Sequence, residues 1–486
     1  MAGIVAYGAY VPYNRLQRSA ITAALGAGGG RGTRSVASYD EDTTSMGVEA
    51  ARLALRAAPE GVEAGGVVFS TTAPAYLDKT NATAIHAALA LDPSAPAYDM
   101  VGSVRSAIGA MRAAVDGAAA GRPLLAVMAD VRTGLAAGTD ESQGGDAAAA
   151  FLFAPDGPIL LDTLGNGQAT GEFLDRWRTP GDPFSRQWEE RFGEHAYAPL
   201  VEAAVNDAFK AAGITAADVD HLLVAGLHAR AVRAVAKSIG VRPEAVADDL
   251  TATVGNPGAA QPGLLLADAL DRVAPGDVVA LVTLADGAEA VVFRATDHLT
   301  AYRERQSTTV AGQVATGNDS LPYATFLTWR GQLHREPPRR PDPERPAAPP
   351  SFRSDDWKFG FVASRCESCG TRHLPPQRVC VRCSSVDRMA AEPLADVPAT
   401  IATYTVDRLA FSLNPPVVVG VIDFDGGGRF QCELTDVDPA SVKIGDRVEM
   451  TFRRLFTADG VHNYFWKARP LRGSTQEPAH ENEQEA

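Results

Sequence analysis

The chain has 486 residues, 45% of them hydrophobic, with 45 Lys and Arg against 59 Asp and Glu and a formal net charge of −14. That length allows two to four domains, and the acidic balance argues against general binding to nucleic acid or anionic lipid. All five cysteines stand at Cys366 or later, which excludes a disulfide framework and denies the preceding region any cysteine nucleophile.

The opening MAGIVAYGAYVPYNR has no basic segment leading a long apolar one, so no secretory signal is expected. No run approaches ~18 uninterrupted apolar residues, so no membrane span is expected. Cysteine usage suits a reducing cytoplasm. Residues 1–333 form a first domain that reads as a duplication. One copy runs MGVEAARLALRAA, GGVVFSTTA, YDMVGSVRSAIGAMRAAV, RPLLAVMAD. The other runs LVEAAVNDAFKAAG, DHLLVAGLHA, ADDLTATVGNPGAAQPGLLLADAL, GDVVALVTLADG. Each gives helix, strand, turn, long helix, strand. Apolar runs such as LLAVMA and VVALVTL suit strands buried on both faces, in parallel βαβ units.

Residues 334–354 read as a linker. REPPRRPDPERPAAPP (335–350) holds seven prolines, lacks amide donors, and is expected to be stiff and extended rather than helical. Residues 355–392 carry Cys366-x2-Cys369 and Cys380-x2-Cys383. Two such knuckles supply four thiolates for a tetrahedral, structural Zn2+ site with no open position. His373, between the pairs, is not needed as a ligand, and Cys432 reads as a small core residue. Residues 393–472 give short alternating strands with Gly and Asp turns, as in a small OB-type barrel. RRLFTADGVHNYFWKARP could serve an OB-fold that binds single strands, but the acidic chain argues against it. The tail 473–486 is acidic and expected to be disordered.

Several segments of the first domain carry a family resemblance. They are GIVAYGAYVP ending at Pro12, EDTTSMGVEAARLAL (41–55), GGDAAAAFLF around Asp146, and VGNPGAA with Gly255 and Asn256. TLGNGQATGEFLDRWRTPGDPFSRQWEERFGEHAYAPLV adds Phe173, Trp177, Arg178, Arg191 and Phe192. In this order they resemble the thiolase superfamily, nearest the archaeal-type 3-hydroxy-3-methylglutaryl-CoA synthases, over roughly residues 3–330. The resemblance implies a duplicated, five-layered αβαβα fold, a homodimer, and action on acyl-CoA thioesters. It makes Arg178, Arg191 and Arg230 candidates for holding substrate or CoA. LPPQRVCVRC, Pro415-Pro416, DVDP and IGDRVE resemble zinc-ribbon/OB-fold proteins that accompany thiolase-like enzymes. Those proteins often act as a separate subunit, so a further thiolase-like partner is possible, and similar subunits partner Cys-lacking thiolase-like aldolases.

The departures decide the chemistry. In that superfamily the nucleophilic Cys follows an Asp by five residues. Asp99 opens the segment and Ala110-Met111 closes it without a gap, which puts Val104 at the nucleophile position, and valine forms no acyl-enzyme. Ser103 and Ser106 flank it, facing other directions on the turn. Counting back from Ile239-Gly240 puts Ala225 at the family's His position, His228 at its Asn position and Arg230 at its Arg position. His228 is thus a candidate base, or a histidine that only lines the pocket. Ser70-Thr71-Thr72 stands where the family carries a catalytic Glu, and Thr71 cannot replace a carboxylic acid. Asn256 matches the residue that polarises the thioester carbonyl, or it simply caps a loop beside Gly255. Asp286, in LADG, is expected to approach Asn256 across the pocket. Tyr76 and His86 are further candidates.

Losing a nucleophile or its base costs on the order of 10⁶-fold in acyl transfer. The sequence therefore points to a protein that forms or breaks a C–C bond on an acyl thioester by aldol-type chemistry. The alternatives are a non-catalytic acyl-CoA-binding scaffold for an active thiolase, and a Ser103- or Ser106-dependent acyltransferase.

Overall fold

The computed structural model describes residues 2–341 and 343–471. The tail expected to be disordered lies outside them. Nine strands build the main sheet of the first domain: β1 (Gly3–Tyr10), β2 (Val67–Thr71), β3 (Ala97–Val101), β4 (Leu124–Val131), β5 (Asp146–Ala154), β6 (Leu161–Thr170), β7 (His221–Gly226), β8 (Val278–Leu284) and β9 (Gly287–Ala295). Their order is β7-β8-β9-β6-β1-β5-β4-β2-β3. The duplication is explicit in this order. β1-β5-β4-β2 in one half matches β6-β9-β8-β7 in the other, and the two half-sheets are joined by the pairing of Ile4 with Leu161. The counterpart of β3 is reduced to one parallel bridge, Leu222 to Val246.

The sheet is mixed rather than built only of parallel units. β2 runs parallel to β3 and β4, and β7 to β8. β5 is antiparallel to β1 and β4, and β9 to β6 and β8. Connection length explains the difference. β8 reaches β9 through Ala285 and Asp286 alone, a hairpin no parallel pair allows.

Five helices complete the layers: α1 (Thr43–Arg56), α2 (Ser106–Ala119), α3 (Glu190–Ala212), α4 (Ala229–Ser238) and α5 (Gln261–Leu270). α1 covers β1, β5 and β4, while α3 covers β6, β8 and β9. α5 touches strands of both halves and packs beside α2. All ten of its residues are buried, as a helix apolar on every side must be. The outer helices approach by the same device in each half. A Cβ on Gly8 of β1 would stand 2.5 Å from Ala50 O, and one on Gly167 of β6 2.1 Å from Ala204 O. α1 begins with a reciprocal cap, Asp42 accepting from Ser45 N (2.9 Å) while Ser45 Oγ accepts from Asp42 N (2.8 Å). Among the described residues no helix is long and apolar enough to cross a membrane.

The proline-rich stretch is not extended to its end. A helix, Ala348–Arg353, starts within it. Pro349 and Pro350 occupy its first turn, where a missing N–H leaves no ladder bond unmade. Beyond it come a small sheet of Val362–Cys366, Arg372–His373 and Met389–Pro393, and a closed five-stranded barrel of Ala399–Asp407, Val417–Phe424, Arg429–Leu434, Val461–Pro470 and Arg447–Ala458. Trp357 and Phe361 join Phe430, Phe465 and Trp466 in one aromatic cluster.

The barrel docks on its own chain, against α1 and the turn before it, through buried charge. Lys467 Nζ lies 3.0 Å from Asp40 and 2.6 Å from Glu433. Arg453 pairs with Glu41 and, at 2.7 Å, with Asp436. Arg469 meets Glu49 and Glu449, both at 2.9 Å. From the other side Arg52 meets Glu49 at 2.9 Å and Asp396 at 2.8 Å, with its guanidinium 4.8 Å from the Trp466 ring centroid. These contacts absorb the Arg- and aromatic-rich strand pair that suggested a nucleic-acid face. Arg453, Lys467 and Arg469 are all buried.

Candidate functional site

A cleft opens where the C-terminal ends of β2, β3, β7 and β8 converge. The segment between β6 and α3 roofs it with Asp175, Arg176, Trp177 and Arg178. The β3–α2 turn supplies Ser103 and Val104, the β7–α4 turn His228, and the β8–β9 turn Asp286. Val104 is buried at the threshold of α2. Ser103 lines the cleft, and its Oγ accepts from Arg105 N at 3.1 Å. Ser106 lies one turn on and is not part of the lining. Asp286 takes a left-handed backbone conformation, φ +47°, uncommon outside glycine but tolerated by Asp. Its carbonyl accepts from Arg105 Nη1 at 2.5 Å, which ties the two turns together.

His228 is buried and caps α4, its Nδ1 accepting from Ala231 N at 3.1 Å. Its Nε2 is fully buried and has no hydrogen-bond partner. The same holds for Asp175 Oδ1. A Cβ placed on Gly193, in the first turn of α3, would lie 2.6 Å from His228 Nε2 and 2.7 Å from Asp175 Oδ1. Both unpaired atoms therefore pack against Gly193, too closely to admit a carbon atom there. Burial raises the Asp175 carboxyl above the usual carboxylate range, although the His228 ring and Arg176 pull the other way. The Tyr197 hydroxyl is also hydrogen-bonded to Asp175, and burial and the two acids Asp175 and Asp286 raise its pKa well above the ordinary phenol value.

Behind His228 a second cavity is lined by Arg18, Arg132, Arg230, Arg233 and Asn256. His228, Leu227 and Arg132 border both spaces. Asn256 and Asp286 thus line different cavities instead of approaching across one. The reason is local: Asn256 Nδ2 donates to Gly226 O (2.7 Å) and its Oδ1 accepts from Gly258 N (3.0 Å), which turns the amide into its own loop. Arg230 pairs with Glu194. Arg178 lines the first cleft and donates to Thr72 O. Arg191 is exposed and lines neither space. Tyr76 and His86 also stand apart. The Tyr76 hydroxyl accepts from His462 N of the barrel at 2.8 Å, and His86 Nε2 bonds Asp92 O at 3.0 Å.

Three contributors have no motif behind them. Asp175 and Tyr197 sit inside the substrate-side segment, marked there only by neighbours such as Trp177 and Arg178. Asp130 ends the apolar run of β4. Its carboxylate accepts from Thr72 Oγ1 (2.7 Å) and Ala259 N (3.0 Å), which fastens the Thr71-Thr72 turn to the loop after Asn256. Burial raises the Asp130 carboxyl despite the neighbouring Arg132. A charged residue closing a strand buried on both faces was the available signal.

The metal centre is separate. Cys366, Cys369, Cys380 and Cys383 place their sulfurs within 4.8 Å of one another. Cys366 and Cys383 are 3.6 Å apart, Cys369 and Cys380 3.5 Å. Thiolates on tetrahedral zinc at ~2.3 Å would stand ~3.8 Å apart, so the donor set fits Zn2+. Hydrogen bonds from Ser385 hold the Cys383 thiol down at about 6, favouring the metal-binding thiolate. His373 is not in the group.

Comparison with known proteins follows these divisions. The family described as 3-oxoacyl-(acyl-carrier-protein) synthase III C terminal matches residues 209–294. The ChsH2 rubredoxin-like zinc ribbon domain matches 360–387, and the ChsH2 C-terminal OB-fold domain 391–453. Among solved structures, MvaS in complex with 3-hydroxy-3-methylglutaryl coenzyme A shares the fold at TM-score 0.55 and 19% identity, over 71% of this chain and 94% of that one. The curacin-pathway HMG synthase with apo donor-ACP does so at TM-score 0.57 and 16% identity, over 68% and 88%. Hydroxymethylglutaryl-CoA synthase of Methanopyrus kandleri is 29% identical over 62% of this chain and 90% of the relative. That of Aeropyrum pernix is 31% identical over 59% of this chain and 82% of the relative. By that match, and with the sheet order and the two half-domains already described, the chain belongs to the hydroxymethylglutaryl-CoA synthase family.

Proposed function

We propose that the protein handles acyl-CoA and makes or breaks a carbon–carbon bond on it by aldol-type chemistry, without an acyl-enzyme. One observation carries this reading: the cleft presents Val104 at the head of α2, and every cysteine of the chain lies in the C-terminal module. A thioester entering it meets no thiolate. It does meet proton-handling groups on three walls, His228, Asp175 and Asp286, and aldol chemistry asks only for a base and for stabilisation of the enolate oxygen. Asn256, the family's carbonyl-polarising residue, is committed to Gly226 and Gly258 and acts as a loop clamp. Ser103 stays an unactivated hydroxyl, because no base is hydrogen-bonded to it.

Arg18, Arg132, Arg230 and Arg233 in the second cavity suit the phosphates of CoA. Arg18 is 9% exposed, with its Nε unpaired. Arg178 stands where an acyl carbonyl or carboxylate would arrive. The edge strand β3, with Tyr98 and Val101 exposed, suits a homodimer built by pairing with its own copy. Zn2+ holds the ribbon and takes no part in the chemistry.

The test has two arms on the full-length chain. Incubation with acetyl-CoA followed by intact mass is expected to leave the mass unchanged, whereas a stable acetyl-serine, about 42 Da heavier, would favour acyl transfer through Ser103. Incubation with a panel of β-hydroxyacyl-CoA thioesters is expected to release a carbonyl product. Binding of the whole panel without turnover would favour the scaffold.

A further inference from the structure

We propose that Asp175 is the proton-accepting residue of the cleft and that His228, rather than serving as the base, is a fixed hydrogen-bond donor to the substrate's oxygen. The assignment rests on the C–C bond chemistry proposed above and names the groups that perform it.

The argument starts at the helix cap. His228 Nδ1 accepts a hydrogen bond from Ala231 N at 3.1 Å. An imidazole nitrogen that accepts carries no proton, so the ring's hydrogen sits on Nε2. Ala231 N is one of the first-turn amides of α4 that need an outside acceptor, so the cap and the tautomer hold each other in place. Nε2–H is therefore a donor, and it is buried without a partner. A ring locked this way cannot take a proton at Nε2.

The acceptor is opposite. Asp175 Oδ1 is also buried and unpaired, it packs against Gly193 as His228 Nε2 does, and both residues line the cleft. Asp175 is 5% exposed, and its backbone is pinned by Trp188 N donating to its carbonyl (2.8 Å) and by its own N–H donating to Phe173 O (3.2 Å). Burial raises its carboxyl above the ordinary range, which moves a carboxylate toward a useful base strength. An orphaned donor and an orphaned acceptor, each costly to bury alone, stand together in the wall of the cleft that both residues line. A carbonyl oxygen and the hydrogen on the carbon beside it would satisfy both.

In the addition direction Asp175 takes a proton from the α-carbon of the acyl thioester. The C–H electron pair becomes the enolate, whose oxygen accepts from His228 Nε2–H. The enolate carbon attacks the carbonyl carbon of the second substrate, and the π pair of that carbonyl becomes an alkoxide. The alkoxide takes the proton back from Asp175, so nothing is consumed or released. Cleavage is the reverse: Asp175 takes the β-hydroxyl proton, the Cα–Cβ bond breaks, and the enolate is reprotonated.

The proton step can be read without a second substrate. Full-length protein is incubated with acetyl-CoA or propionyl-CoA in D2O, and α-deuterium incorporation is followed by mass spectrometry. The unmodified chain is expected to catalyse exchange. Asp175→Asn should slow it on the order of 10²–10⁴-fold while acyl-CoA binding, measured by calorimetry, stays within about threefold. His228→Gln, which keeps an N–H donor, should retain more exchange than His228→Phe, and this comparison holds even if Asp175→Asn folds poorly. Exchange in Asp175→Asn at the unmodified rate overturns the Asp175 assignment alone. His228→Phe exchanging as fast as His228→Gln overturns the donor role. No exchange in the unmodified chain overturns the assignment together with the C–C bond reading.

Discussion

Gly193→Ala separates the site from the fold. Gly193 lies in the first turn of α3, a 23-residue helix. Away from the site, alanine there would favour the helix by up to ~1 kcal/mol. The new Cβ, however, would stand 2.6 Å from both Cδ2 and Nε2 of His228 and 2.7 Å from Asp175 Oδ1. Carbon–carbon contact needs about 3.5 Å or more, so these side chains must move by nearly 1 Å. They are side-chain ends rather than backbone, so they can swing away, and the helix gain and the strain roughly offset. A melting temperature within about 3 °C of the parent is expected, since ~1 kcal/mol shifts a domain of this size by ~2–4 °C. Catalysis has no such tolerance, because a displacement of ~1 Å in a reacting group costs on the order of 10²-fold. α-Proton exchange from acetyl-CoA should fall by that factor while calorimetric binding of acyl-CoA persists. Full exchange in a folded Gly193→Ala would refute the claim that His228 and Asp175, as placed against Gly193, act together in the cleft.

The other predictions concern the remaining parts of the chain. Val104→Cys should acquire an acyl adduct of about 42 Da from acetyl-CoA, because it returns a thiol to the head of α2; a variant that stays unlabelled would mean position 104 is not where a thioester arrives. Glu49→Ala strips Arg52 and Arg469 of a shared buried partner and should cost ~3–5 kcal/mol, seen as a lowered denaturation midpoint and faster proteolysis between domain and barrel. The same contact sets an acid limit. Burial alone would raise the Glu49 carboxyl, but Arg52, Arg469 and Phe452 N outweigh it and hold it at about 2. Its stabilisation, on the order of 3 kcal/mol, is complete above the unfolded value near 4.5 and disappears as pH falls from 4.5 to about 2. Glu41, whose carboxyl burial raises, opposes this trend in the same interface, so a midpoint that rises steadily below pH 4.5 would show that Glu41 dominates. Cys366→Ser should lower the zinc content from one ion per chain and destabilise the ribbon, measured by atomic absorption and limited proteolysis; full zinc retention would remove Cys366 from the ligand set.

How much of this was legible in the sequence follows from which physical signals are local. The four cysteines declare themselves by spacing alone, because two knuckles need only short turns to converge. The duplication is legible because both halves repeat one apolar rhythm, and glycines such as Gly8 and Gly167 recur where a helix must touch a strand. The antiparallel strands were not, since a strand buried on both faces looks the same whichever way its neighbour runs. The barrel's docking face was not legible for a related reason. Arg453, Lys467 and Arg469 read as a surface for anions, and they do meet anions, but these are Asp40, Glu41 and Glu49, more than 390 residues earlier in their own chain.

The cleft is the least local feature. Val104 could be picked out by counting because its segment has no gap, and it does line the cleft. What surrounds it could not be counted. Asp175 becomes a candidate only when the β6–α3 segment folds its carboxylate over Gly193 toward a histidine from the β7–α4 turn. His228 drew attention as a base because histidine usually is one, yet one amide, Ala231 N, reverses that role by fixing which nitrogen holds the proton. That amide is invisible to composition and to spacing. Under the proposed reading, a family scaffold with Val104 in its cleft keeps a use for the groups around it, because a carboxylate beside a fixed N–H is sufficient for chemistry that passes through an enolate.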